Sequence, residues 1–332
     1  MKQEKILVIG AFGQLGTELV PALRALYGET NVIASDVRQP SPLNSIQGPY
    51  ISFDVLERKS LETVVKSHQI TQIYLLAAML SATGEQFPTK AWDLNMQSLI
   101  NVLEVAKDQH LNRVFWPSSI AVFGKSSPKK DCPQDGPFDP TTVYGISKIA
   151  GEHWCNYYYQ KYGVDVRSIR YPGLISYTAM PGGGTTDYAV DIFHQALAKN
   201  EYTCFLHKDT GLPMMYMPDA VRATLELMEA PAYLIKNRHS YNIAGVSFTP
   251  AELAEAIRTY LPDFTMSYRP DSRQAIADSW PDSIDDTAAF RDWGWEARYG
   301  ISAMTREMLQ HLAARYPSTG ERSELLHPAV FA

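Results

Sequence analysis

Short apolar runs alternate along the chain with longer stretches in which apolar residues recur every three or four positions. KILVIG near the start is followed by a helical pattern through Leu19 to Tyr27, then by NVIASD, a second helical pattern near Leu61 to His68, and QIYLLAA. Continuous apolar runs of that length between amphipathic stretches predict buried strands joined by crossover helices, a βαβαβ series. The alternation continues through a predicted helix from Lys90 to Gln109, the strand RVFWPSS, a helix from Pro140 to Tyr162 and the strand DVRSIRY. Strands rich in Val, Ile and Leu suit burial on both faces, so the expected fold class is α/β: a doubly wound, mainly parallel sheet.

Beyond Tyr171 the texture changes to loops such as PGLISYTAMPGGGTTDY, a helix around Ala189 to Lys199, short strands and irregular turns. That change predicts a smaller C-terminal lobe and divides the chain at 1–172 and 173–332. A stretch near 215–245, through Ser240 to Gly245, is expected to return to the sheet, so the lobes interleave in sequence.

With 332 residues and 45% hydrophobic composition, the chain can bury a sizeable core. Its 30 Lys+Arg against 36 Asp+Glu give a net charge of −6 without a basic stripe, which makes nucleic acid an unexpected partner and favours small-molecule chemistry. Cys132, Cys155 and Cys204 are odd in number and far apart, so neither a disulfide framework nor a CxxC metal site is indicated, and a reducing cytoplasm is the simplest compartment. The run KILVIGAFGQLG is too short to span a bilayer and lacks a small-residue cleavage site, so no membrane partner is expected. The eight histidines form no HExxH or Cys/His cluster, and no metal is expected.

The candidate chemistry begins at Gly10, Gly13 and Gly16. Placed between the first strand and first helix, the spacing GxxGxxG permits a tight turn and a close approach of backbone to phosphate at a helix N-terminus. Asp36 ends the second strand, where a carboxylate can accept hydrogen bonds from an adenosine ribose and repel a 2′-phosphate; this favours NAD over NADP, with Arg38 nearby pulling the other way. Asp54 and Val55 are placed to flank an adenine. Ala77 and Ala78 end the strand QIYLLAA with small side chains that leave room for the cofactor backbone. Later in the chain, Tyr144 and Lys148 stand four residues apart and share a helix face. A cation there favours phenolate, although a solvated lysine beside a tyrosine has the same spacing. No GxSxG elbow accompanies Ser119, which argues against a serine nucleophile.

The glycine turn, Asp36, the PSS at Pro117 to Ser119 and Tyr144-x-x-x-Lys148 stand in the order of the extended short-chain dehydrogenases/reductases. The chain resembles most closely their NAD-dependent L-threonine 3-dehydrogenases, through FGQLGTEL, NVIASDVR, VFWPSSIAVFG, YGISKIAGE, RYPGLIS, PGGGTTDYA and DWGW. One departure is Ile120-Ala121 after Ser119, where related epimerases often carry a longer Ser/Thr cluster. The resemblance implies a Rossmann fold with a substrate lobe, NAD as cofactor, and L-threonine as a substrate oxidised at its β-hydroxyl. Tyr144 is then the base and Lys148 the group that lowers its pKa and holds the nicotinamide ribose, while Ser119 orients the substrate oxygen. It further implies cofactor contacts at Gln14, Leu15, Ser118, Tyr171 and Leu174. Substrate contacts are implied at Gly184, Thr185 and Thr186, on a mobile loop whose freed N–H groups and hydroxyls hold the carboxylate, with Trp280 packing over it and Ser81, just beyond QIYLLAA, contacting the substrate's charged end. Asn95 is a candidate brace for the active-site backbone. A homodimer through the two long helices is implied as well. The alternative is a nucleotide-sugar epimerase or dehydratase on the same fold.

Overall fold

The computed structural model describes residues 4–40, 46–180 and 182–316. Pro181 of the glycine-rich loop, and the chain ends counted in the two predicted lobes, lie outside them.

Ile6–Ile9, Val32–Ser35 and Gln72–Leu75 are buried along their whole length, as strands covered on both faces must be. They belong to a parallel sheet in the order Tyr50–Ile51, Val32–Ser35, Ile6–Ile9, Gln72–Leu75, Arg113–Phe115, Val166–Arg167. RVFWPSS and DVRSIRY each break in the middle. Pro117 has no N–H to donate, so the ladder lapses there, then resumes in unchanged register: Phe115 lies opposite Arg167, and Ser118 opposite Arg170. Tyr241–Asn242 pairs in parallel with Ile169–Arg170 and forms the far edge.

One face of the sheet is covered by the helices Gly16–Tyr27 and Met217–Glu229, the other by Arg58–Ser67, Ser98–Asp108 and Val143–Tyr162. The doubly wound parallel sheet expected from the apolar pattern is the fold observed. A third apolar core lies among the helices Tyr188–Lys199, Pro250–Arg258 and Ile301–Ala313, with the strands Glu201–Cys204 and Leu212–Tyr216. The chain passes between these cores more than once. Met215, Met217, Tyr241 and Ile243 pack with the sheet, and so do Ala289 and Trp295 from much later in the sequence. Among the described residues no helix is long and apolar enough to cross a membrane.

Two helices differ from their sequence pattern. The stretch read as one helix from Lys90 to Gln109 is Pro88–Trp92 and Ser98–Asp108 joined by a π turn at Asp93–Gln97. Asn95 is buried within that turn, where an extra residue in the spiral releases backbone geometry that local interactions must satisfy. The other helix starts at Val143 rather than Pro140, because the Thr142 hydroxyl accepts the Gly145 N–H (3.1 Å) and caps it. It ends at Gly163, whose φ of 70° is the left-handed conformation of a helix C-terminus.

Gly151 brings this helix against Trp116. A Cβ there would stand 2.4 Å from the indole and 3.0 Å from Leu99, and the same indole faces the Lys148 Nζ at 4.5 Å. Gly151→Ala is therefore expected to overpack the contact and destabilise the fold by about 1–3 kcal/mol. A thermal melt that does not move would show that the helix shifts freely.

Candidate active site

Ile6–Ile9 has Val32–Ser35 on one side and Gln72–Leu75 on the other, so strand order reverses at its C-terminal end and a crevice opens there. Gly10 lines it with φ +87°, and a Cβ at that position would lie 2.6 Å from the Ala77 nitrogen. At Gly16 a Cβ would meet the Ala11 carbonyl at 2.6 Å. Only bare backbone permits this packing. It brings the N-terminus of Gly16–Tyr27, with its positive dipole end, to the floor of the crevice.

The crevice holds two adjoining cavities. The larger, of about 1580 Å³, runs from Gly10, Gly13 and Gln14 past Asp36 and Arg38 to Asp54, Val55, Ala77 and Ala78. The smaller, of about 230 Å³, shares Gly10, Gly13, Gln14 and Ala78 with it and adds Leu15, Gly16, Ser81, Ser118, Ser119, Tyr144, Lys148, Tyr171, Leu174, Gly184, Thr185, Thr186 and Trp280. Every residue singled out for cofactor or substrate thus lines one of the two. Sequence reasoning overlooked Phe12, Thr83 and Asp187, which line them too. Gln14 ties the floor to the far wall, its amide donating to the Leu174 carbonyl (3.2 Å).

At the outer end, the Asp36 carboxylate accepts the Phe12 N–H (3.1 Å) and a forked pair from Arg38 (both 3.0 Å). Burial raises its carboxyl, but the hydrogen bonds from Arg38 and Phe12 outweigh that and hold it below the ordinary aspartate range. Asp36 is therefore an anion at neutral pH. Arg38, half exposed, also covers the Phe12 ring, which stacks on Tyr50.

At the inner end, Lys148 donates from Nζ to the Pro117 carbonyl (2.5 Å) and lies over the rings of Trp116 and, at 5.4 Å, Tyr144. Burial pushes its ammonium down to about 7. The Cys155 sulfur and Glu152 oppose that; burial raises the Cys155 thiol far above its usual range, leaving the Arg170-paired Glu152 as the nearby anion. Burial likewise pushes the Tyr144 phenol up to about 12, against a hydrogen bond with Ser119 that lowers it. The expectation that Lys148 by itself depresses Tyr144 is thus not met in the protein alone: burial dominates both groups, because each loses water without gaining the other as a direct partner.

Asn95 braces this end. Its amide accepts the Met79 N–H (2.8 Å) and donates to the Met79 carbonyl and to Ser147, whose hydroxyl reaches the Tyr144 carbonyl (2.7 Å). Across the cavity, the Ser81 and Thr185 hydroxyls meet at 3.2 Å. The glycine-rich loop differs from expectation. The N–H groups of Gly183 and Gly184 are not free but donate to the Asp187 carboxylate (2.7 and 2.8 Å). An acid closing the run GGGTTD was the available signal, since a short carboxylate readily binds nearby backbone N–H groups. Tyr171 turns its hydroxyl away from the cavity, to Thr224. Trp280 is 5% exposed and both lines the cavity and belongs to the third core.

Residues 6–244 match the NAD dependent epimerase/dehydratase family. The chain belongs to that family. Among individual relatives, it is 47% identical to an uncharacterized epimerase/dehydratase of Staphylococcus saprophyticus, over 94% of this chain and 98% of that one. Among solved structures, it is 58% identical to the holo form of a GalE-like L-threonine dehydrogenase from Cupriavidus necator, with a TM-score of 0.90, covering 94% of this chain and 99% of the other. A monomeric L-threonine 3-dehydrogenase from a metagenome is 46% identical, with a TM-score of 0.91, over 94% and 99% of the two chains. Family membership makes NAD the cofactor. The residues present fit it: a glycine turn that a Cβ would block, a helix N-terminus beneath, and an ionised Asp36 at the outer end of the crevice.

The anion at Asp36 predicts cofactor choice. Asp36→Ser removes the charge that repels a 2′-phosphate and frees Arg38, so the preference for NAD over NADP is expected to shrink by roughly tenfold or more, the effect of about 1.4 kcal/mol. The ratio of kcat/KM for the two cofactors measures it.

Proposed function

We propose that the protein oxidises L-threonine at its β-hydroxyl, forming 2-amino-3-oxobutanoate, NADH and a proton. The observation that carries this reading is the smaller cavity. At about 230 Å³ it lies below the ~300–1,000 Å³ common for ligand sites, and it brings a phenol, an ammonium and several hydroxyls to one small polar substrate. The likeness to solved L-threonine dehydrogenases supports it. A nucleotide sugar would need room and cationic contacts for a diphosphate beyond this cavity.

In this reading Tyr144 accepts the hydroxyl proton through its phenolic oxygen, and Ser119 hydrogen-bonds the same substrate oxygen and fixes its direction. Bound NAD would supply the hydride acceptor and a positive charge that favours the phenolate. Lys148, held by the Pro117 carbonyl, adds its ammonium to that field and reaches for the nicotinamide ribose. Ser81 and Thr185, already paired across the cavity, offer their hydroxyls to the substrate carboxylate, with Gly184, Thr186 and Trp280 shaping the wall around it. Ser118, Tyr171 and Leu174 complete the cofactor side through ring and backbone surface.

The sheet and its helices hold the cofactor, and the loops and third core beyond Tyr171 hold the substrate. The exposed Ile146, Trp154 and Tyr157 on Val143–Tyr162, beside Trp92, support a homodimer through that helix face. Three buried, free cysteines support a reducing, cytoplasmic setting.

NADH formation with purified protein tests the substrate. L-Threonine is expected to be turned over, L-serine about 10–200-fold less efficiently for want of one methyl contact, and D-threonine not at all. Turnover of a UDP-sugar without NADH from threonine would replace this reading with an epimerase. Tyr144→Phe is expected to lower kcat by on the order of 10²–10⁴-fold while NAD affinity stays unchanged. Fast turnover in that variant would sink Tyr144 as the base.

A further inference from the structure

Beneath the proposed reacting pair lies a buried charge network that meets the cavity only through Ser118. Glu152 is fully buried one helical turn beyond Lys148, and its carboxylate accepts two hydrogen bonds from Arg170, from Nε at 2.9 Å and Nη2 at 2.7 Å. The same carboxylate accepts the Ser118 hydroxyl at 2.6 Å. Ser118 precedes Ser119 and lies opposite Arg170 in the ladder. Arg170 reaches onward to the Gln134 carbonyl (2.7 Å) and the Asn242 side chain (3.1 Å) on the last strand. One carboxylate therefore joins the helix of Tyr144 and Lys148, the strand of Ser119 and the neighbouring strand.

A buried ion pair is a poor way to gain stability, since apolar residues of the same volume often serve as well. A charge retained at this depth, next to an ammonium that burial would otherwise neutralise, has a second use. We propose that Glu152, clamped by Arg170, is a positioning residue of the reaction: it supplies the anion facing Lys148 and fixes the strand that carries Ser119. The proposal rests on the reading of Tyr144 and Lys148 as the reacting pair.

The groups around it are few. Lys148 faces Tyr144, Cys155 and Glu152 on its own helix, and the Pro117 carbonyl and Trp116 ring from the strand. Glu152 faces Ser118, Arg170, Lys148 and, from the loop before the last strand, His239, which packs edge-on against His153. With Glu152 ionised, Lys148 keeps its proton to higher pH. Removing that charge lets the proton leave earlier, and the buried Arg170 left behind pushes in the same direction.

The test uses full-length Glu152→Gln, which keeps size and a hydrogen-bonding group for Ser118 but not the charge, together with Ser118→Ala, which keeps the ion pair but cuts the link to the strand. For Glu152→Gln, the alkaline limb of kcat is expected to move to lower pH by roughly one unit or more. For Ser118→Ala, kcat is expected to fall about five- to tenfold, the weight of one hydrogen bond, with the limb and the KM for threonine unmoved. A folded Glu152→Gln protein with an unmoved limb overturns the charge role. An unchanged kcat in Ser118→Ala overturns the positioning role, and decides alone where Glu152→Gln gives no folded protein. Tyr144→Phe run alongside separates the two levels: if it stays active, the reacting-pair reading has failed, and if it is inactive while the other variants match the unmodified protein, the Glu152 proposal has.

Discussion

An ammonium withdrawn from water costs several kcal/mol unless something nearby restores what the solvent gave it. Lys148 is 2% exposed, and much of the surrounding structure answers that cost. Pro117 presents a carbonyl to Nζ where the sheet ladder lapses, and Trp116 presents an aromatic face. Gly151 lets the helix settle onto that indole, so the lysine is carried to depth rather than left to reach for the surface. Glu152 adds the nearest full negative charge and is itself made tolerable by Arg170. Each answer sits on an element already required by the fold. The state of Lys148 is thus inseparable from the packing of one helix against two strands.

The local parts of this arrangement were legible in the sequence. A glycine turn between strand and helix, an acid at the end of the next strand, and a tyrosine and lysine four apart are short patterns whose spacing has a direct geometric meaning, and the apolar periodicity placed them on the right elements. The parts that escaped are those made by pairing across the chain. Glu152 and Arg170 are 18 residues apart on a helix and a strand, and no spacing rule connects them. The π turn around Asn95 reads as ordinary helix because its apolar periodicity barely changes over five residues. The occupation of the Gly183 and Gly184 N–H groups by Asp187 depends on where one carboxylate turns, which residue type alone does not fix. Nor does an i,i+4 pattern reveal that both partners are dry, the fact that decides their protonation.

The two cavities have different textures. The larger cavity is lined by the glycine turn, by small residues such as Ala77 and Ala78, and by charged side chains, Asp36 and Arg38 among them. The inner end is lined by hydroxyls and aromatic faces from both sides of the chain, joined by the Ser81–Thr185 contact. A change at one end therefore leaves the other's framework intact, because the two share only the glycine turn, Leu76, Ala78 and Leu80.

The strand Tyr241–Asn242 closes the sheet beside Ile169–Arg170, yet it is separated from it in sequence by the whole of the glycine-rich loop and two helices. During synthesis the ribosome makes the first six strands well before this one exists. Until then the nascent sheet carries a raw edge of buried-type residues, Ile169 and Tyr171 among them, with unpaired backbone groups that another chain could adopt. Arg170, too, waits for Asn242 to complete its set of partners. The birth order of the polypeptide thus leaves the layer that supports Lys148 among the last to be finished, and any delay in translating residues 172–242 prolongs the period in which the chain is vulnerable to aggregation.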